Sequence, residues 1–255
     1  MPQLLYITDM HVYADPAATL KGVNTRQSLA KVLQEAQQRF LHPDALILGG
    51  DLAQDGSDAA YAYISTLLDP SVPTLAVAGN HDAPSCLEVY FNNTRPLDMD
   101  DWCIIPLNTH HAGHESGLLG DKQLSDLAKV LASAADRHVL IVLHHPPVPV
   151  GSHWLDAIAL TDADGFWEII TCFENVQGIL CGHIHQMLDC AHHGVRVLGS
   201  PASCIQFHPQ RQAFELDNQS PGYRWLNLMA DGTIITGVER ITGFIPADLT
   251  DNVHY

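Results

Sequence analysis

The chain is organised by short apolar runs: Leu4 to Thr8, Ala45 to Gly49, Thr74 to Ala78, Cys103 to Leu107, Val139 to Leu143, Gly178 to Cys181 and Val195 to Leu198. Each has the length of a strand. Between several of them apolar residues recur at helical spacing, with Leu29, Val32, Leu33, Ala36 and Phe40 on one face and Leu124, Leu127, Ala128 and Leu131 on another. Strand, helix, strand in alternation predicts an α/β fold. Near the end, Trp225 to Met229, a turn at Asp231-Gly232, and Thr233 to Val238 read as a closing β-hairpin. No repeat or low-complexity linker divides the 255 residues, so one domain over 1–255 is expected, with 221–255 as its C-terminal hairpin and tail. Pro146 to Thr161, rich in Pro, Gly and Ser, reads as a long irregular loop of the kind that often carries function.

Charge bounds the partners. Asp plus Glu number 29 against 12 Lys plus Arg, a formal charge of −17, so a polyanion is repelled and nucleic acid is not expected as a partner. Carboxylates that bind divalent cations are neutralised by them, and the 16 histidines invite that reading. The cysteines at 86, 103, 172, 181, 190 and 204 form no C-x-x-C pair, and the N-terminal MPQLLYITD lacks the basic-then-apolar layout of a signal peptide. Reduced thiols in a cytoplasmic protein are expected, with Cys103, Cys181 and Cys204 as small core residues. No apolar segment reaches the roughly 18 residues of a membrane span, so no membrane partner is expected.

In α/β proteins ligands gather beyond the carboxyl ends of the strands. The polar residues of this chain fall there. The first run ends in Asp9-Met10-His11, the second in Gly49-Gly50-Asp51, the third in Gly79-Asn80-His81-Asp82, the fifth in His144-His145 and the sixth in Gly182-His183-Ile184-His185. Taken singly, each has an ordinary reading as a cap, a turn or a loop. In extended chain, His183 and His185 would face the same way. Together the five ends are expected on one edge of a sheet. Asp9, Asp51 and Asn80 offer oxygen, while His11, His144, His183 and His185 offer nitrogen. So many donors exceed one four-coordinate ion and suit two. Mixed nitrogen and oxygen without thiolate selects Fe, Mn or Zn over Mg or Ca and leaves the choice among the three open. Two ions about 3.5 to 4 Å apart need a bridge, for which Asp51 is the natural candidate.

With those residues assembled, the sequence resembles the calcineurin-like metallophosphoesterase family, whose D-x-H, G-D, G-N-H-D/E, H and G-H-x-H elements match Asp9/His11, Gly50/Asp51, Gly79/Asn80/His81/Asp82, His144 and Gly182/His183/His185. Within the family it is similar to the bacterial class III cyclic-nucleotide phosphodiesterases through GVNT (22–25), GDLAQD (50–55), LCGHIHQ (180–186), SCIQFHP (203–209) and SPGYR (220–224). The resemblance implies a four-layer α/β/β/α sandwich. It implies a first metal held by Asp9, His11, His185 and bridging Asp51, and a second held by Asp51, Asn80, His144 and His183. His81 would face the leaving group without being a ligand, and Asp82 would orient it. The implied reaction is hydrolysis of 3′,5′-cyclic AMP to 5′-AMP by a metal-held hydroxide, with a small cyclic nucleotide as partner and a homodimer left open. A metallophosphoesterase acting on other phosphodiesters or phosphomonoesters is the alternative. A scaffold without catalysis is a third reading, against which every ligand position and His81 are filled. Substrate selection is expected in Gly22 to Thr25, Pro146 to Thr161 and Ser203 to Pro209, each equally readable as plain loop or core, with Gln206 and His208 beside Asn80 and His81 as candidate contacts. Leu107-Asn108-Thr109 departs from the family's aspartate-led LDS or LDT, so an acid's role there is open. Met10, between Asp9 and His11, should not disturb ligation.

Overall fold

A computed structural model describes residues 1–91, 95–244 and 248–249. The elements are β1 (Gln3–Ile7), α1 (Thr25–Arg39), β2 (Ala45–Leu48), α2 (Asp58–Leu67), β3 (Thr74–Ala76), α3 (Pro84–Tyr90), β4 (Leu97–Met99), β5 (Trp102–Pro106), α4 (Gly120–Ser133), β6 (His138–Val142), α5 (His153–Asp156), α6 (Ala163–Ile170), β7 (Val176–Cys181), β8 (Leu188–His192), β9 (Val195–Gly199), β10 (Gln206–Phe207), β11 (Leu216–Asp217), β12 (Gly222–Leu228) and β13 (Ile234–Arg240). All seven apolar runs are strands. They belong to two sheets among the described residues, ordered β13-β12-β1-β2-β3 and β4-β5-β6-β7-β9-β8.

Side-chain alternation explains the layering. In β1, Leu5 and Ile7 meet Val32, Tyr61, Ile64 and Leu87 of α1, α2 and α3, while Leu4 and Tyr6 face the other way. In β6, Val139 and Ile141 meet Leu127, Leu131, Phe166 and Ile170 of α4 and α6. The opposite faces of both sheets close on each other through Leu4, Tyr6, Ile47, Leu75, Ile104, Leu140, Val142 and Leu180. The result is the expected α/β/β/α sandwich. Parallel strands buried on both faces read as continuous apolar runs, which is why these were conspicuous in the sequence.

The closing hairpin is β12 and β13. It extends the first sheet, with β12 antiparallel to β1 from Gln3 opposite Asn227 to Tyr6 opposite Arg224. The Arg224 guanidinium, buried, donates to the carbonyls of Gly199 and Leu188 and so ties this hairpin to the second sheet. Most of the expected C-terminal tail lies outside the described residues. The segment 146–161 is irregular except for the short α5. Among the described residues no helix is long and apolar enough to cross a membrane.

The polar strand ends do not share one sheet edge. Those after β1, β2 and β3 belong to the first sheet, and those after β6 and β7 to the second. They converge because the sheets face each other with these ends together. The seam is tight at Gly182, where a Cβ would lie 2.2 Å from Thr8 Oγ1 and 2.8 Å from the Gly49 carbonyl. Backbone and a buried hydroxyl cannot yield cheaply. Gly182→Ala should therefore lower unfolding free energy by about 1 to 3 kcal/mol, measured by denaturant titration; an unchanged midpoint would show that the seam opens freely.

Candidate metal centre

Beyond each strand the chain turns at once. Asp9, His11, Asp51, His183 and His185 all occupy the left-handed region, with φ of 53°, 47°, 50°, 70° and 48°. His183 and His185 therefore do not share a side of an extended chain. The turns aim them apart, His183 toward Asn80 and His144, and His185 toward Asp9 and His11. The first two loops interlock through main-chain bonds from Asp9 N to Gly50 O and from Met10 N and His11 N to Asp51 O. Gly79 lets the third loop lie on Asp51, since a Cβ there would sit 2.2 Å from Asp51 Oδ1. His81 N donates to that same oxygen at 2.9 Å.

The seven candidate ligands come together in two groups around Asp51. In one, His11 Nε2 lies 3.1 Å from His185 Nε2 and 3.7 Å from Asp51 Oδ2, and His185 Nε2 lies 3.4 Å from Asp9 Oδ1. In the other, His144 Nε2 lies 3.3 Å from Asp51 Oδ2, and His183 Nδ1 lies 3.1 Å from Asn80 Oδ1. The other ring nitrogens are anchored: His11 Nδ1 on Gln54 Oε1 at 2.5 Å, His144 Nδ1 on Gly49 O at 2.8 Å and His185 Nδ1 on Ile205 O at 2.8 Å. Oxygens there can only accept, so these rings carry a proton on Nδ1 and turn Nε2 inward, as a lone pair wherever the ring is neutral.

Two such lone pairs 3.1 Å apart repel unless a proton or a cation lies between them. The buried Nε2 of His183 has no hydrogen-bond partner among the described residues. Both are signs of a donor set made for cations. The electrostatics agree. Burial works against the Asp51 carboxylate, but His144, His81 and His11 hold it well below the ordinary range. Burial also lowers His144, yet Asp51 and then Asp9 carry it up to about 9. Burial drives His11 down to about 3 and His183 well below its usual value, leaving both neutral and able to ligate. The residues fit two cations sharing Asp51.

The cleft above this floor has a volume of about 280 Å³ and is lined by Asp51, Asn80, His81, His183 and His185, by Gly113 to Glu115, and by Trp154, Leu155, Ile158 and Phe207. Two expected substrate contacts are absent from that lining. Gln206 is buried, its amide nitrogen donating to Ala202 and Ile205 carbonyls and its oxygen accepting from Arg240. His208 bonds Arg211 and the Pro209 carbonyl. Phe207, between them, faces the site. Gly22 to Thr25 serves α1 instead, with Asn24 as its N-cap accepting from Gln27 N. Asn108 is exposed and its Oδ1 accepts from His110 N, a turn role that needs no acid. The sequence gives no sign of the parts of His145 and Gln54: His145 bonds Thr109 Oγ1 and the Glu115 carbonyl behind His183. Cys204 is the buried core residue expected, and its sulfur lies within 4.8 Å of ring nitrogens of His11 and His185.

Residues 2–187 match the signature of the calcineurin-like phosphoesterases. The chain belongs to this family. It is 38% identical over 253 residues to 3′,5′-cyclic adenosine monophosphate phosphodiesterase CpdA of Vibrio vulnificus, covering 96% of this chain and 92% of that protein. To the CpdA of Escherichia coli K12 it is 37% identical over 246 residues, covering 94% and 90%. Among solved structures, a dimetal phosphatase from Danio rerio superimposes with a TM-score of 0.60 at 16% identity, over 88% of this chain and 94% of that one. The Thermus thermophilus protein TT1561 does so with 0.58 at 15%, over 92% and 98%. These likenesses show that the sandwich is the fold of that family.

One residue of the phosphoesterase motif departs from its expected part. The resemblance assigns Asp82 to orienting the His81 ring, but its carboxylate accepts from Leu52 N, Ala53 N, Gly79 N and Tyr61 Oη at 2.9 to 3.2 Å. Burial first, and Asp51 second, push its carboxyl up to about 6, while the backbone N–H groups pull it down. Its work is to clamp the loops that carry Asp51 and Asn80. The ring of His81 is met instead by Gln54 Nε2, 3.2 Å from Nδ1. Asp82→Asn turns an NH₂ toward N–H donors and should cost about 1 to 3 kcal/mol or more of stability, whereas Tyr61→Phe removes one of several donors and should cost less. Equal midpoints for Asp82→Asn and wild type in urea would remove the clamp.

Proposed function

We propose that this phosphoesterase hydrolyses 3′,5′-cyclic AMP to 5′-AMP at a pair of transition-metal ions. The observation that carries the chemistry is the reach of one carboxylate: Asp51 Oδ2 lies 3.3 Å from His144 Nε2 and 3.7 Å from His11 Nε2, members of the two separate groups. The substrate is supported by the near full-length similarity to CpdA enzymes. In this reading Asp9, His11, His185 and Asp51 hold one ion, and Asp51, Asn80, His144 and His183 hold the other, within a single domain. Fe, Mn or Zn suits mixed imidazole and carboxylate donors. When bound, such ions supply Lewis acidity toward phosphate oxygens and a water acidic enough to attack near neutral pH.

The chain's own groups do the rest. Gln54 gives its oxygen to His11 Nδ1 and its NH₂ to His81 Nδ1. Since an NH₂ can only donate, His81 accepts at Nδ1 and keeps its proton on Nε2. That N–H, on a ring lining the cleft, donates a hydrogen bond that stabilises the charge developing on the departing 3′ oxygen. Asn80, beside it, orients the phosphate. Neutral imidazoles on the floor also spare an anionic substrate the full repulsion of a chain carrying a formal charge of −17.

Purified protein supplied with Mn should convert cyclic AMP to 5′-AMP with inversion at phosphorus and contain close to two metal ions per chain. Asp51→Ala should lose metal and turnover together. His81→Ala should keep its metal and lose about 10² to 10⁴ in rate. Equal metal loss in both variants would remove the role of His81 at the leaving group. Cleavage of bis(p-nitrophenyl) phosphate without cleavage of cyclic AMP would leave the metal chemistry standing and overturn the substrate.

A further inference from the structure

The wall of the cleft beside the metal-binding floor is aromatic and continuous. Phe207 stacks face-on against His185, with centroids 4.0 Å apart and planes at 9°. Trp154 meets Phe207 edge-on at 5.0 Å, and Phe214 closes the cluster at 5.3 Å from Trp154 and 5.4 Å from Phe207. Leu155, beside Trp154 on α5, and Ile158, in the turn just after it, continue the apolar lining of the cleft. The wall thus begins on a ring of the metal-binding floor and leads outward from it. A polar segment, Gly113 to Glu115, also lines the cleft and is held by His145 through the Glu115 carbonyl.

A phosphoester whose phosphate sat on that floor would have its next group in this cleft, within reach of the wall. For a nucleotide, the flat group one sugar away is the base. We infer that Trp154, Phe207 and Ile158 form a nucleobase subsite, in which the base lies against the aromatic wall. The inference rests on the phosphoester reading above and adds which residues tell a nucleotide from a bare phosphoester. Stacking on an aromatic face suits any base, so the subsite selects nucleotides as a class. Trp154 supplies the largest apolar face, and Phe207 keeps it flush with the floor by its own stacking on His185.

The test compares ligands that differ only in the base. With Mn-loaded protein, titration calorimetry should show 5′-AMP binding at least about tenfold tighter than ribose 5-phosphate. Trp154→Ala should abolish that preference and leave the affinities of ribose 5-phosphate and inorganic phosphate unchanged, and Trp154→Phe should restore most of it. Equal affinities for 5′-AMP and ribose 5-phosphate in the wild type would overturn the inference, as would an equal loss for both in Trp154→Ala. Binding is read without turnover, so an enzyme that prefers 5′-AMP but does not cleave cyclic AMP would keep the subsite and lose the substrate assignment.

Discussion

The carboxylate of Asp9, at the end of a strand in one sheet, accepts the main-chain N–H of His183, at the end of a strand in the other, at 3.0 and 3.2 Å. Thr8 Oγ1 donates to the same carboxylate at 2.8 Å, and Ser203 N donates to the Thr8 carbonyl at 3.1 Å. These contacts fix how closely the two sheets approach at one end of their shared core. Everything at the centre depends on that spacing, because its donors come from both sheets and no single sheet carries a complete set. The small residues follow from it. Gly49 is required because a Cβ would lie 2.2 Å from the Tyr6 hydroxyl, which reaches up between the sheets beneath the site.

Burial makes the centre a place where protons and cations compete. Asp9 and Asp51 are buried carboxylates, and a buried carboxylate requires a nearby positive charge. His144 provides it when protonated, and Asp51 holds that proton on until about pH 9. A cation held by Asp51 would take over the same duty and free His144 Nε2 to ligate, so that occupancy and proton release would be one equilibrium. The carbonyl of Gly49 keeps the ring in place through the exchange, because it holds Nδ1 in either state.

The apolar runs were legible because parallel strands buried on both faces leave nothing polar in them, and the hairpin was legible from its Asp231-Gly232 turn. The candidate ligands were legible as residue types in sequence order. Their grouping was not. His183 and His185 look like neighbours on an extended chain, yet both adopt left-handed φ and serve different groups, a conformation that only tertiary packing imposes on histidine. Asp82 adjoins His81 in sequence but spends its oxygens on backbone N–H groups of two other loops, while Gln54 reaches His81 from 27 positions away. Gln206 and His208 drew attention as polar residues, but the strand β10 turns Gln206 inward and leaves Phe207 at the cleft. Polarity marks where chemistry can be, and it says little about which side of a two-residue strand faces it. The helix α2 escaped notice because only Ala60, Tyr61 and Ile64 of it are buried, too few to make a periodic pattern.

The left-handed backbone at Asp9, His11, Asp51, His183 and His185 has a consequence for how this sequence can change. Each such residue carries a penalty of about 1 to 2 kcal/mol relative to glycine, which takes that conformation freely. A search for thermostable variants would thus be drawn to glycine at the histidines among them, whereas Asp9 and Asp51 also hold buried N–H groups, and each such change takes a donor from the candidate set. Stability and activity are set against each other residue by residue. Stabilising changes compatible with activity are to be sought in the outer helices and their caps, away from the turns where the strands end.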